Sequence, residues 1–521
     1  MGRKSSSKQN TKKNSSKEGS KYEQQKRKEL AVLVDKLLKL TSIFQATVTP
    51  AKSWEHYLEI ESLLKQIQNI EAPKTKSETP SRESNIQEFL KWLSENEAQY
   101  EGVEIASFKG YDLGLKATKD FKEGSLMLTI PRKVMMSEQD ARESILGKFI
   151  EVDPLLQNMP NITLALFLLM EKSKPDSFWA PYIAVLPERY STILYFTPEE
   201  LAELKPSPVL ESSLKLYRSI ARQYAYFYMK IHTLDLPVVK NLQDIFTFEN
   251  YRWAVSTVMT RQNNISLSHA DTTAFIPLWD MCNHQHGKIT TDFNKELSRG
   301  ECFALRDFAA GEQLFIFYGA RPNSDLFLHN GFVYPDNQYD SLSLCLGISS
   351  EDPRRAARRA LLSRLGLGGA AHYPLYAAAA PVSAELRAIP CGLGWGAAHC
   401  PLYAAAAPVS AELRAFVRIF CMDEEDLTKW SSHNVPSELV SSEPSSAEAV
   451  GAALDRKAYN YLMTRCKLLK TLYAKSKTEE KELTLHRNNV KLLKECEVRI
   501  LDGAIEYLQG VIDSLPVEET K

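Results

Sequence analysis

The sequence predicts an α+β protein, on three observations. Short apolar or alternating runs bounded by Gly and Pro, the pattern of strands, gather in two segments, 103–130 and 274–347. Between them, about residues 137–260, apolar residues recur instead at helical spacing. From residue 416 onward the pattern is helical again. Small twisted sheets split by a large helical insert, then an all-α lobe, is the architecture these blocks dictate.

Taken in order, residues 1–27 are Lys, Ser, Gln and Asn with almost no large apolar group. They cannot bury enough surface to offset ordering and are predicted to be a disordered basic tail. Residues 28–81 hold two amphipathic helices, Glu29 to Leu40 and Trp54 to Ile70, and a polar linker from 72. Ser84 or Asn85 is suited to cap a helix running through Trp92. Val103 to Phe108 alternates, Gly110-Tyr-Asp-Leu-Gly114 turns, Leu115 to Thr118 returns, and Ser125 to Ile130 is a third strand stopped by Pro131.

In the insert, Asn161 to Lys172 is an apolar helix, Ser207 to His232 a long one with Ser207 placed to cap it, and Phe248 to Met259 a third. The stripe Tyr217, Ile220, Tyr224, Phe227, Tyr228 and Ile231 reads as core. Strands resume at Ala274 to Leu278, Glu301 to Arg306, Gln313 to Tyr318 and Ser341 to Leu346. Asp307-Phe-Ala-Ala-Gly-Glu312 echoes Asp120-Phe-Lys-Glu-Gly124, as the same acidic-aromatic turn before a strand. Segment 348–415 is foreign in composition, rich in Ala, Arg, Gly and Leu, and a unit at 370–388 recurs at 397–415 with one substitution. Two copies are too few for a solenoid. One copy is expected in a native-like place and the other looped out. Residues 416–521 form a helical lobe around two long amphipathic helices, Leu454 to Ala474 and His486 to Val511, after a Ser/Pro/Glu-rich loop at 431–450.

A formal net charge of −1 gives no global field for nucleic acid or membrane. The eight cysteines are scattered, without a CxxC pair or zinc spacing, so no metal is expected and a reducing compartment is. The N-terminus lacks the apolar core of a signal peptide, and no stretch approaches a membrane span. These features predict a cytoplasmic monomer, with the nucleus as a second compartment open to it.

The chemistry gathers at element ends. Ile276-Pro-Leu-Trp-Asp-Met-Cys-Asn-His284 runs from apolar strand into polar loop, Thr260-Arg-Gln-Asn263 precedes it, and Phe315-Ile-Phe-Tyr-Gly319 ends a strand on a tyrosine. GxSxG, P-loop and HExxH motifs are absent, which sets aside three common mechanisms.

The GYDLGL turn, the Asn283-His284 pair after an apolar strand and the FIFYG strand ending in Tyr318 resemble SET-domain protein methyltransferases. The resembling class has a SET domain split by a helical insert and followed by a substrate-binding lobe like that of the plant Rubisco lysine methyltransferase. The resemblance spans about 82–347, with a looser helical match in 416–510, and it implies a knot-like C-terminal loop in the SET domain. Arg261-Gln-Asn263, Trp279 to His284, Tyr318-Gly-Ala-Arg321, ARQYAYFY (221–228) and SFWAPYIAVLP (177–187) are similar to members that methylate a histidine of actin.

The resemblance implies S-adenosyl-L-methionine as cofactor and actin as protein partner, with no nucleic acid and no membrane required. It implies cofactor contacts from Arg82, Tyr111, Asp112, Leu113, Arg261, Asp280, Asn283, His284, Tyr318, Asn330 and Phe332, and a catalytic set of Tyr318, Asn263, Trp279 and Arg321. Asn330 stands where such members carry serine. The His284 ring and Asp280 carboxylate are read as holding the loop, and Cys282 as packing. The residues also fit histidine on physical grounds. Lysine must shed a proton at about 4–5 kcal/mol near neutral pH, whereas histidine, mostly neutral, needs its tautomer fixed. The Asn263 amide oxygen can accept the proton-bearing nitrogen, Trp279 can wall a flat pocket, and Arg321 can fix the acceptor. A lysine methyltransferase acting on a histone or another protein, and a non-catalytic SET scaffold, are the rival readings.

Overall fold

The two β segments clasp each other through the turns that echo in sequence. Phe121 and Phe308 exchange both backbone hydrogen bonds, at 2.8 and 2.9 Å. Asp307 accepts from the Glu123 N–H, and Asp120 accepts from the Ala310 N–H, both at 2.9 Å. Each acidic residue thus satisfies a donor of the other's turn, which gives a physical reason for the repeated pattern.

In the computed structural model the described residues are 7–43, 49–72, 81–267, 271–377, 407–432, 438–441, 451–476 and 484–516. The chain divides into one unit of residues 1–190 and 213–317 and another of 191–212 and 318–521.

Among its described residues the first unit holds three small sheets. The four-stranded sheet runs Val103–Phe108, Asp112–Ala117, Gln313–Ile316, Asn283–His284. Its last pairing is parallel, Asn283 opposite Phe315 and His284 opposite Ile316. Leu126–Pro131, Arg299–Phe303 and Thr291–Asn294 form a second sheet, and Met136–Ser137, Asp271–Phe275 and Asn263–Ser266 a third. Helices Pro160–Ser173 and Phe248–Arg261 pack together in the insert; the first is buried from Asn161 to Glu171, as its unbroken apolar run demands. Tyr217, Ile220, Tyr224, Phe227, Tyr228 and Ile231 are all buried in the core.

In the second unit Ser341–Gly347 pairs antiparallel with Ala370–Tyr376 beside helices Ala452–Lys475 and Leu485–Ser514. A core of Leu342, Leu344, Tyr373, Phe416, Trp430, Tyr459 and Leu508 joins them. Arg418, 0 % exposed, is held by both Asp455 oxygens and the Leu439 carbonyl, so its burial leaves a satisfied pair. The Ser207 hydroxyl accepts from the Val209 N–H and caps the helix Val209–Thr233.

Three expectations are corrected. The tail predicted as disordered over 1–27 is helical from Ser7, in one helix with the predicted Glu29–Leu40 segment: Ser7–Ser42. That stretch contains no proline, and a helix already nucleated propagates at little cost. Strand Asp271–Phe275 stops before Ile276 instead of reaching Leu278, because the backbone turns there. The repeated unit is divided between its copies. The first supplies the strand Ala370–Tyr376, and the end of the second supplies Ser410, which caps helix Ala411–Cys421 through the Leu413 N–H. The Tyr376 N–H bonds the Pro408 carbonyl, so the two halves meet as one unit would. Residues 378–388 of the first copy and 397–406 of the second, linker residues 73–80 and most of the 431–450 loop lie outside the described residues.

Candidate active site

At Leu278 the apolar strand turns into the polar loop through a γ-turn: φ is 66°, ψ −49°, and the Trp279 N–H bonds the Pro277 carbonyl at 2.9 Å. A leucine there stores about 1–3 kcal/mol of backbone strain, of the kind that marks functional loops. Beyond it a single 3₁₀ turn, Trp279–Met281, delivers the chain to Asn283 and His284. Leu278, Trp279, Met281 and Cys282 are all buried, which anchors the turn.

Asn283 lies against the GYDLGL turn, its Nδ2 donating to the Leu113 carbonyl at 3.3 Å. A Cβ on Gly114 would lie 2.8 Å from that nitrogen and 2.8 Å from Gln313 Nε2. Glycine is there for close approach. Asp112 has φ 62° and its carboxylate is largely exposed, Tyr111 is 46 % exposed, and Leu113 is buried. His284 is buried beside Phe317, ring centroids 5.7 Å apart. A hydrogen bond with Cys302, and then burial, push the Cys282 thiol far above its ordinary range, so it packs rather than reacts.

Arg82 and Arg261 gather at the same loop. Arg82 Nε donates to the Val185 carbonyl at 2.9 Å, and its guanidinium pairs with Asp112. Arg261 donates to the Asp280 main-chain carbonyl at 2.7 Å, lies 3.4 Å from Asp280 Oδ2, and meets the Tyr190 hydroxyl. Burial, and then the Arg261 charge, lower the Arg82 pKa. The two guanidiniums disfavour each other, and each is balanced by a carboxylate, Arg82 by Asp112 and Arg261 by Asp280. The Asp280 side chain is 1 % exposed, and burial raises its pKa against the lowering effect of Arg261 and Tyr182. Its carboxylate takes the Tyr182 hydroxyl, so it braces the loop. Tyr182 and Tyr190 were not singled out in the sequence; the FWAPYI run around Tyr182 was the available signal.

Asn263 opens the strand Asn263–Ser266. Its Nδ2 donates to the Arg261 carbonyl at 3.1 Å. Only the NH₂ end of an amide can face a carbonyl, which fixes the flip and turns Oδ1 away as an acceptor. Trp279 is 5 % exposed and lies on the Gly300 backbone: a Cβ there would be 3.1 Å from the indole. Much of its ring area is therefore committed to packing.

The other sequence-derived residues lie in the second unit. Tyr318, half-buried, meets Phe332 edge-on with ring centroids 6.2 Å apart. Arg321 Nη1 donates to Asn330 Oδ1 at 2.7 Å. Gly331, at φ 78°, bends the chain between Asn330 and Phe332 where a Cβ would lie 2.7 Å from Ser191 backbone. Its carbonyl takes Asn489 Nδ2 at 2.8 Å. Among the described residues no group of His, Cys, Asp and Glu could hold a metal, and no helix is long and apolar enough to cross a membrane.

The SET domain family matches residues 112–319, and the Rubisco LSMT substrate-binding family matches 349–503. The chain is 37 % identical over 486 residues to the actin-histidine N-methyltransferase of Danio rerio, covering 92 % of this chain and 77 % of that protein. To that of Homo sapiens it is 36 % identical over 492 residues, covering 94 % and 78 %. Among solved structures, the SET domain of LSMT bound to lysine and AdoHcy superposes with a TM-score of 0.62 at 20 % identity, covering 84 % of this chain and 94 % of that one. Rubisco LSMT bound to AdoMet gives 0.61 at 20 % identity, covering 83 % and 93 %. These two share the fold.

Proposed function

The chain belongs to the family of actin-histidine N-methyltransferases, and from that membership we propose that it transfers a methyl group from S-adenosylmethionine to the distal (tele) ring nitrogen of a histidine in actin. The observation that carries the choice of histidine is the Asn263 amide. With Nδ2 bound to the Arg261 carbonyl, Oδ1 is the end available to a substrate N–H. An imidazole whose proximal nitrogen donates there has its distal nitrogen bare, the tautomer that attacks.

The residues suit the cofactor. The Arg82 and Arg261 guanidiniums would hold its carboxylate, and the Tyr111–Leu113 turn with the Asn283–His284 main chain would seat its body. Gly114 leaves room for Asn283 to do so. When bound, S-adenosylmethionine supplies an electrophilic methyl on a sulfonium sulfur. The chain contributes alignment and electrostatics. Asn263 orients the acceptor ring, Trp279 walls it, and Arg321 fixes the acceptor chain. The Tyr318 oxygen would stabilise positive charge at the transfer site when the cofactor is bound. Phe332, edge-on to Tyr318, would stack near the adenine. The carboxylate of Asp280 stays with Tyr182 and Arg261. The enzyme is read as a cytoplasmic monomer with access to the nucleus, requiring neither nucleic acid nor membrane.

The test is mass spectrometry of actin after incubation with enzyme and cofactor. The expected product is a single methylated histidine. Turnover should fall below about pH 6.5 as the acceptor imidazole protonates. Asn263→Phe should lower histidine turnover and favour lysine. Methyl found only on lysine would overturn the assignment in favour of a lysine methyltransferase. No transfer, together with no cofactor binding by calorimetry, would leave a non-catalytic scaffold.

A further inference from the structure

We propose that Asn330 is a positioning residue that aims the Arg321 guanidinium at the protein acceptor. The inference rests on the reading of Arg321 as an acceptor contact. It assigns to Asn330 a role different from the one its place in the family implies.

Arg321 is held at both ends. Its side-chain Nη1 donates to Asn330 Oδ1 at 2.7 Å, a charge-assisted bond at its ordinary length. Its main-chain carbonyl takes Asn337 Nδ2, also at 2.7 Å. Asn337 is 8 % exposed, and its own oxygen accepts the Tyr339 N–H at 3.0 Å. The carbonyl anchor is therefore fixed before Arg321 is considered.

Asn330 stands on an equally fixed base. The Gly331 N–H bonds the Leu326 carbonyl at 2.9 Å, and the Gly331 carbonyl takes Asn489 Nδ2 from the long C-terminal helix. Gly331 cannot be replaced without meeting Ser191 backbone. The adjacent His329 is pushed to about 4 by burial and by the Arg321 charge, with Asp325 opposing. At neutral pH it adds no competing cation, and Arg321 is the charged group that Asn330 meets.

An arginine carries rotamer entropy of about 2 kcal/mol, so a fork that must grip an acceptor gains from being aimed beforehand. The Asn330 carbonyl can do this because it reaches one bond farther from the main chain than a serine hydroxyl. That bond commits one of the two acceptor sites of Oδ1 to the guanidinium.

The experiment uses the full chain with actin as acceptor and S-adenosylhomocysteine as the calorimetric probe. Asn330→Ala should raise the KM for actin about 10- to 100-fold, the usual weight of a hydrogen bond to a charged group. It should leave kcat and the probe Kd within about twofold. Asn330→Asp, which keeps an acceptor at that position, should restore most of the KM. Arg321→Ala combined with Asn330→Ala should be no worse than Arg321→Ala alone, because Asn330 acts through Arg321. A weakened probe Kd with unchanged KM would overturn the proposal, as would fully additive losses.

Failure of the functional reading is a separate result, since wild-type enzyme would then give no methylhistidine on actin. In that case phenylglyoxal labelling of Arg321, mapped by mass spectrometry, still tests whether Asn330 holds the guanidinium. Labelling should rise in Asn330→Ala, and unchanged labelling would overturn the proposal.

Discussion

Replacing Gly114 with alanine puts the smallest possible obstacle into the cofactor seat. The new methyl would lie 2.8 Å from Asn283 Nδ2, 2.8 Å from Gln313 Nε2 and 3.1 Å from a Phe108 ring carbon. Comfortable contact is about 3.5–4 Å, so both amides must retreat by roughly 0.7 Å. Both are ends of flexible side chains and can swing away. The fold therefore loses less than the about 1–3 kcal/mol of a rigid overpacked core. Retreat breaks the bond from Asn283 to the Leu113 carbonyl, worth about 0.5–1.5 kcal/mol, and loosens the Tyr111–Leu113 turn proposed to seat the cofactor. The expected outcome is a Kd for S-adenosylhomocysteine raised at least about tenfold, which is 1.4 kcal/mol. Thermal unfolding should fall by only a few degrees. Calorimetry on wild type, Gly114→Ala, Asn283→Ala and the double variant separates the causes. The loss in the double variant should be less than the sum of the two single losses, because the contact with Asn283 needs both partners while those with Gln313 and Phe108 remain. A Kd within twofold of wild type for Gly114→Ala would refute the reasoning.

Two further outcomes concern stability. Glu497 accepts the Ser207 and Tyr473 hydroxyls in a buried site, and burial pushes it up to about 8 from an ordinary 4.5. Between those values the folded chain keeps a proton that the unfolded chain has released, so this group's contribution to stability falls as pH rises from 4.5 to 8. Glu497→Gln should flatten the decline over that window in urea unfolding, by up to about 1.4 kcal/mol per pH unit; an unchanged slope would refute it. Removing residues 378–404 rejoins the strand Ala370–Tyr376 to the Pro408–Ser410 cap as one intact unit. A shorter connection between Tyr376 and Pro408 lowers the closure entropy, so the melting temperature should stay level or rise slightly. A loss of more than about 5 °C by calorimetry, several kcal/mol for a chain of this length, would show that the removed residues carry part of the fold.

Local pattern made the fold class legible, because alternation and 3.6-residue spacing report burial directly. Val103–Phe108 coincides with its alternating run. What the pattern hid was set at long range or by single torsions. Ile276, Pro277 and Leu278 continue an apolar run, and nothing in their side chains announces the positive φ that ends the strand. Asn263–Ser266 and Asn283–His284 are polar strands held by partners elsewhere in the chain. The residue types of the candidate site were readable, but their partners were not. Asn330 could be named from its place in the sequence, yet its bond to Arg321 is visible only in three dimensions. The helix from Ser7 was missed because composition reports burial better than propagation from a neighbour.

The clasped turns at Phe121 and Phe308 bear on how the chain is made. The bond between Asp120 and the Ala310 N–H spans 190 residues. At about 5–20 residues per second, a ribosome takes about 10–40 s to cover that distance. Throughout that interval the first β segment waits with its edge unpaired, since its partner has not yet been synthesised. During synthesis the chain is therefore most exposed to misassociation before residue 308 emerges.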